Sequence, residues 1–299
     1  MKKPTVTIGI PAYNEKENIL LLMTRLLAQK LRQTALQEII VVSDGSTDTT
    51  VDLVRSLDNN KIIIIDRKNR QGLNQTLNEI VRAATGDILV IINADVLPEN
   101  TAFIEHLIEP MLKDRNIGIV GANTVSMPAR SLFERIIANS HNFKQFLYRR
   151  ISNDNIYLCH GRARAFSKSI YSLIMWPDNC PEDAYSYLFC KQKGYRFMFN
   201  RTASVLFRCP SNLKGHITQS NRFRFGKDTL SRYFSEEVIR RNYKIPFNLL
   251  FRSLLYFAIR NPFSMPAFLM ITVYIQLFKT ERPSHYSRYS IAYSSKKLQ

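Results

Sequence analysis

Over the first 125 residues, short apolar runs alternate with segments whose apolar positions recur at helical spacing. Residues 5–10 predict a strand closed by Pro11, and residues 17–31 a helix with Ile19, Leu20, Met23, Leu26 and Leu27 along its apolar face. The runs EIIVVS (38–43), KIIIID (61–66), DILVIIN (87–93) and 117–122 predict four more strands. Residues 47–57, 73–84 and 98–113 predict the helices between them, the second closed by Gly86 and the third opened by Pro98. Near-continuous apolar strands separated by helices imply a parallel sheet covered on both faces. Ligands of such sheets sit beyond the carboxyl ends of the strands. Polar clusters stand at three predicted strand ends: Pro11-Ala12-Tyr13-Asn14-Glu15, Asp44-Gly45-Ser46-Thr47-Asp48 and Asn93-Ala94-Asp95.

The last third has a different pattern. Residues 246–259 are apolar apart from Arg252, and residues 261–278 form a run of 18 uncharged residues between Arg260 and Lys279. A membrane span needs roughly 17–25 apolar residues, and this run is broken by Pro262, Pro266, Asn261 and Gln276. Three readings stay open: a short spanning helix, helices lying in a membrane interface, or a buried core or oligomer contact. Flanking arginines and many aromatics favour the interface. Residues 281–299 are polar and predict a loose tail. The amino-terminal apolar stretch is short and broken by Pro11, and is read as a first strand rather than a signal peptide.

Composition sharpens this picture. With 45% hydrophobic and 22% charged residues, 10 Gly and 12 Pro, the chain is neither collagen-like, low-complexity nor wholly disordered. Its four cysteines include no CxxC pair, which argues against a zinc ribbon or thioredoxin site and fits a reducing compartment. The net charge of +18 is lopsided: residues 1–120 carry 14 Lys/Arg against 15 Asp/Glu, and residues 121–299 carry 28 against 9. A basic half points to an anionic neighbour, whether nucleic acid, lipid headgroups or a polyphosphate; the plainer reading is solubility.

The strand-end clusters have the side chains of a nucleotide site. An aromatic face stacks on a base, carboxylates accept hydrogen bonds from base N–H or ribose hydroxyls, and a carboxylate holds a divalent cation against a diphosphate. Neither GxGxxG nor GxxxxGK[ST] occurs, so a dinucleotide fold and a P-loop lack support.

PAYNE (11–15), DGSTDTT (44–50), NAD (93–95), PEDAYSYLFCKQKGYR (181–196) and CPSNLKGHITQSNRFRFG (209–226) follow one another in this order. In that order they resemble family 2 glycosyltransferases of the GT-A fold, over roughly residues 4–228. The resemblance implies an α/β GT-A domain: a nucleotide-sugar-binding half over 1–125 and an acceptor-side half with the catalytic base over 126–235. Apolar, membrane-associated helices over 236–280 and the polar tail over 281–299 follow. It implies that Pro11, Ala12, Tyr13 and Glu15 line the base and ribose pocket, with Asn93 on the donor side. Asp44 would bind the base edge, and Asp95 would ligate Mg²⁺ or Mn²⁺. Asp183 would be the catalytic base beside Glu182, and Gln219, Arg222 and Phe223 would lie near the diphosphate and acceptor. Arg224 is a further phosphate candidate, and His160, Gly161 and Trp176 fall in the acceptor region.

Plainer readings stand beside these. Tyr13 or Trp176 can be packed core, Asp44 a helix cap, Asp95 a turn acid, and Glu182 and Asp183 first-turn acids favoured by the helix dipole. His160 can be a polar loop residue, and Arg222 and Arg224 a solvated face. Two positions depart from the family pattern. Asn93 stands where an acid is usual, and Leu73 where many relatives carry lysine, with Lys68 and Arg70 near enough to replace that charge.

The expected activity is metal-dependent, inverting transfer from a nucleotide-diphosphate sugar, most simply UDP-linked, to a lipid-linked or glycan acceptor. The expected location is the cytoplasmic face of a membrane with an anionic surface. Lack of a multi-span region argues against a complete polymer-synthesising and exporting machine. Asn93 motivates one rival, a catalytically impaired binder of the same fold. The charge, with arginines and aromatics interleaved over 221–225, motivates another, a nucleic-acid binder. No nucleic-acid motif accompanies them, so none is expected as partner.

Overall fold

The computed structural model describes residues 3–277 and residue 298, with side chains throughout except at 221–227. Eight strands form one sheet: β1 (Thr5–Ala12), β2 (Ala35–Ser43), β3 (Ile62–Asp66), β4 (Ile88–Ile92), β5 (Val96–Pro98), β6 (Ile117–Ser126), β7 (Ala163–Ser167) and β8 (Arg196–Phe207). Their order is β3-β2-β1-β4-β7-β6-β8-β5. The helices are α1 (Ile19–Leu27), α2 (Thr50–Arg55), α3 (Leu73–Ala83), α4 (Phe103–Lys113), α5 (Leu132–Ile151), α6 (Lys168–Tyr171), α7 (Glu182–Gln192), α8 (Leu213–Leu230), α9 (Glu236–Asn242), α10 (Phe247–Arg260) and α11 (Ser264–Leu277).

The first four strands are parallel, as their apolar runs predict. Alternate residues feed opposite faces. Val6, Ile8 and Ile10 pack with α1 and α4, whereas Ile40, Val42, Leu89 and Ile91 pack with α3 and α7. Gly9 lets α3 approach β1, since a Cβ there would lie 2.3 Å from Ile80 Cγ2.

The sheet is parallel up to β4 and mixed beyond it, within the GT-A expectation of a mostly parallel sheet. β7 enters antiparallel between β4 and β6, and β5 pairs antiparallel with β8. Pro98 therefore ends a buried strand instead of opening a helix, and α4 starts at Phe103.

The carboxyl-terminal apolar segments are helices α10 and α11, each of 14 residues. At about 1.5 Å per residue neither reaches across a hydrocarbon layer of about 30 Å. No helix among the described residues is long and apolar enough to cross a membrane, and the spanning reading is withdrawn. Both helices pack on α5, with Phe143, Leu147 and Met265 buried between them. Apart from Leu298, the tail expected over 281–299 lies outside the described residues.

Candidate active site

The first two strand-end clusters are one structure. Ala12 pairs with Ser43, and Asp44 N–H donates to Ala12 O at 2.8 Å. Beyond the strands, Asn14 N–H donates to Ser46 Oγ (3.1 Å), Thr47 N–H to Asn14 Oδ1 (2.8 Å) and Glu15 N–H to Thr50 Oγ1 (2.8 Å). Asn14 makes this turn with φ of 53°, a left-handed conformation that Asn tolerates. Glu15 is buried, and its Oε2 accepts from Asn18 Nδ2 at 3.1 Å. The Tyr13 ring is half-buried under the Arg70 guanidinium, 4.2 Å from its centroid.

Asp44 is 4% exposed and faces the loop before α3. Its Oδ1 accepts from Gln71 N–H (2.7 Å) and Arg67 (3.2 Å), and its Oδ2 from Gly72 N–H (2.8 Å). These three donors tie the end of β2 to the loop before α3 and leave part of the carboxylate's acceptor capacity open. Gly45 is needed beneath that loop: its φ is +71°, and a Cβ would lie 2.7 Å from Arg70 N.

The third cluster joins through register. β1 and β4 pair as far as Gly9 and Ile91, so Pro11 and Asn93 each follow that ladder by two residues. Asn93 N–H donates to Arg162 O at 2.9 Å, and Asn93 and Asp95 are both half-buried. Because β7 runs antiparallel to β4, with Ile92 opposite Ala163, the segment His160-Gly161-Arg162 comes alongside the third cluster.

This segment leads to α7. Gly161 is pressed against Glu182, and a Cβ at 161 would lie 2.1 Å from Glu182 Oε1. Glu182 forms an ion pair with Arg164, which is fully buried and donates to Ser186 Oγ at 3.0 Å. Trp176 Nε1 donates to the same oxygen at 2.9 Å. One sequence expectation changes accordingly. Trp176 is 1% exposed, packs edge-on against Phe166 and belongs to the core rather than the acceptor wall. Glu182 faces Arg164, and their ion pair joins the start of α7 to β7.

Asp183 faces the other way. It is half-buried, its Oδ1 accepts from Ala184 N–H at 2.7 Å, and it lines a cavity of about 430 Å³. His141, Lys144 and Gln145 of α5, His160, Arg162 and Gln219 of α8 share that cavity. His160 Nε2 lies 2.7 Å from Gln145 Nε2. Burial, then the nearby Arg162, pushes His160 far below the ordinary imidazole range and His141 down to about 3. Burial, then Lys144, brings His216 to about 4. These imidazoles are neutral at pH 7 and serve as hydrogen-bonding groups.

Helix α3 links the two halves of the site. Asp44 holds the loop before it, and its own side chains hold the loop before α7. Asn74 Nδ2 donates to Pro177 O (2.6 Å) and Cys180 O (2.8 Å), and Asn78 exchanges two hydrogen bonds with the Trp176 backbone (2.9 and 2.8 Å).

Of the residues singled out in the sequence, Asp183, His160 and Gln219 line one cavity, while Tyr13 and Asp95 stand at the strand ends. Sequence reasoning missed Arg67, Arg164, Asn78 and the α5 residues His141 and Lys144. The pair Arg162 and Arg164, set in HGRAR beside a glycine, was the local signal available. The side chains of Arg222, Phe223 and Arg224 lie outside the described residues.

Among the described residues no group of three or more His, Cys, Asp and Glu could hold a metal by itself. Asp95, with the Asn93 carbonyl near it in sequence, offers an oxygen donor at a half-buried strand end. One carboxylate completed by substrate phosphates and water is how Mg²⁺ is commonly held, so these residues fit a divalent cation.

A parallel half-sheet with an acid at its strand ends, an antiparallel insertion and a helix-borne carboxylate on a neighbouring cavity fit the GT-A class that the sequence motifs resemble. The chain belongs to glycosyl transferase family 2, whose sequence model matches residues 7–174, more than half its length. It is an enzyme of that family. The poly-beta-1,6-N-acetyl-D-glucosamine synthase of Staphylococcus aureus (strain COL) is 30% identical over 119 residues, 40% of this chain and 28% of that protein. The match thus spans less than a third of the curated relative.

Among solved structures, the mannosyltransferase PcManGT from Pyrobaculum calidifontis, in complex with GDP-Man and Mn²⁺, has a TM-score of 0.61 at 21% identity. That likeness covers 94% of this chain and 77% of that one. Glucosyl-3-phosphoglycerate synthase from Mycobacterium tuberculosis, in complex with Mn²⁺, UDP and phosphoglyceric acid, has a TM-score of 0.55 at 18% identity, covering 77% and 78%. Both are likenesses of fold.

Proposed function

We propose that this glycosyltransferase moves a sugar, with inversion, from a nucleotide diphosphate, most simply UDP, to a hydroxyl of a glycan or lipid-linked acceptor. One observation carries the reading. Asp183 borders a cavity together with His160, and His160 stands in the segment hydrogen-bonded to Asn93 at the donor strand ends. That hydrogen bond supports reading base and donor residues as parts of one site.

Tyr13, with Arg70 over its ring, offers the aromatic wall for the base, and Asp44 keeps the loop behind it fixed. Asp95 and the Asn93 carbonyl would hold Mg²⁺ or Mn²⁺, which neutralises charge on the departing diphosphate when bound. Both solved relatives above carry Mn²⁺ with a nucleotide. Asp183 takes the proton of the acceptor hydroxyl as it attacks, and one base with in-line attack inverts the anomeric centre. The neutral His160 and the Gln219 amide bind acceptor hydroxyls without competing for that proton. The Arg164–Glu182 pair holds α7 in place while this happens.

The enzyme works at the cytoplasmic face of a membrane, resting on it through α10. Phe247, Phe251, Leu255 and Ile259 recur every four residues on that helix and are all exposed. The basic half of the chain complements anionic lipid.

The test begins with a thermal-shift screen of nucleotide diphosphates and their sugar conjugates, with and without Mn²⁺, because a ligand of the folded state raises apparent stability. The cognate conjugate then enters a turnover assay. Asp183→Asn is expected to lower kcat by roughly 10²–10⁴-fold with donor binding kept, the range for a general base. Turnover that survives the substitution refutes the assignment. Asn93, uncharged where the family usually carries an acid, favours a second reading: a donor-binding protein with impaired catalysis. Donor binding without transfer would support it.

A further inference from the structure

Gln145, one wall of the catalytic cavity, also borders a second cavity of about 520 Å³. Arg149, Arg150 and Arg201 line it with the amides of Asn123 and Asn142, and among the described residues no carboxylate does. Elsewhere in the molecule buried guanidiniums meet acids: Arg67 pairs with Asp44, Arg164 with Glu182 and Arg208 with Glu134. Arg149 instead donates to the neutral Asn123 Oδ1, and its Nε is buried without a hydrogen-bond partner. Burial and the neighbouring charge of Arg201 both pull the Arg149 pKa down, a sign of like charges held close.

The arrangement is built into the fold. Arg149 and Arg150 stand on the last turn of α5, where Phe146 supports Arg150 at 3.4 Å and Phe199 supports Arg149 at 5.3 Å. Arg201 comes from an irregularity in β8. Ala122 pairs with Asn200 but Asn123 pairs with Ser204, so residues 201–203 bulge out of the ladder. Such bulges re-aim a side chain at the expense of pairing. Arg149 is half-buried and Arg150 and Arg201 are exposed, so the three guanidiniums of the cavity are open to an incoming anion. Their planar forks match phosphate oxygens.

We propose that this cavity is a second anion site, distinct from the donor's diphosphate position at Asp95, and that it takes the phosphate or diphosphate group of a ligand. A soluble phosphate ester and a lipid phosphate present the same group to it.

The probe is inorganic pyrophosphate, titrated calorimetrically into the full chain with EDTA present so that no metal serves the donor position. Saturable binding is expected, weakened by about tenfold or more in Arg149→Gln/Arg201→Gln, since hydrogen bonds to charged groups are the strong ones. Asn142→Asp places an acid beside the arginines at an exposed position, and is expected to weaken binding as well. Both variants should keep the thermal shift with UDP and Mn²⁺. Absence of saturable binding to the unaltered protein, or equal affinity in both variants, overturns the proposal. So does loss of the UDP–Mn²⁺ shift in Asn142→Asp, which would place the effect at the donor site. Flotation with phosphatidylcholine vesicles, with and without phosphatidic acid, separates the sources. Phosphatidic-acid-dependent flotation that the double variant loses assigns the site to a lipid phosphate. Unchanged flotation with weakened pyrophosphate binding assigns it to a soluble ester.

Discussion

Residue 161 is a glycine because Glu182 occupies the space a side chain would need. A Cβ 2.1 Å from Glu182 Oε1 has to displace that carboxylate, and the carboxylate is the ion-pair partner of a fully buried Arg164. Gly161→Ala therefore strains a buried pair rather than a loop. Breaking such a pair leaves a charge without compensation, at about 3–5 kcal/mol. Arg164 also holds Ser186, so the start of α7 should loosen with it. The expected outcome is a lower denaturation midpoint and a fall in kcat. A Gly161→Ala protein of unchanged stability and turnover would show that Glu182 relaxes freely and does not position Asp183.

The apolar runs of β1 to β4 are dense enough to be legible singly, and the acids after β2 and β4 were found by looking where those strands end. β7 and β8 were not, because ARAFS is short and the residues of β8 alternate between buried and exposed faces, with charges at both 196 and 201. Their order depends on pairing across the sheet, for which no local spacing exists. The same reason hid the partners of the legible acids. Arg67 reaches Asp44 across 23 residues, and Arg164 reaches Glu182 across 18. Helix α5 was also missed, although Ser131 caps it by accepting from Glu134 N–H, and it brings the two cavities together. Its His141 supplies a pH test. Burial and Arg162, with smaller contributions from Lys144 and Arg149, bring this imidazole from about 6.5 to about 3, and His216 reaches about 4. The native state thus refuses protons that the unfolded chain accepts below about pH 6.5. Stability is full above that pH and declines as the pH falls toward the native values. The slope is at most about 1.4 kcal/mol per pH unit for each imidazole. Urea midpoints between pH 7 and 5 should fall, and His141→Gln should flatten the decline; an unaltered slope would assign the effect to other groups.

At the scale of the whole molecule, charge and apolar exposure coincide. The half that carries 28 Lys/Arg against 9 Asp/Glu also contains α10, whose exposed Phe247, Phe251, Leu255 and Ile259 form a single stripe with Arg252 and Arg260 on the same helix. Neither element alone binds a membrane firmly. Each cation near an anionic surface contributes on the order of 1 kcal/mol and is screened by salt, whereas inserted apolar side chains are insensitive to salt. The two contributions can therefore be separated. Phe251 and Ile259 are 58% and 71% exposed, so Phe251→Ser/Ile259→Ser should leave the denaturation midpoint nearly unchanged. The double variant is expected to float poorly with anionic vesicles, and its residual binding should vanish as salt is raised. The unaltered protein should keep a salt-resistant fraction. If both proteins float equally and both are released by salt, the basic surface is the whole anchor and α10 does not touch lipid. If neither responds to anionic lipid, the apolar stripe serves another contact and the cytoplasmic membrane face is the wrong location for this enzyme.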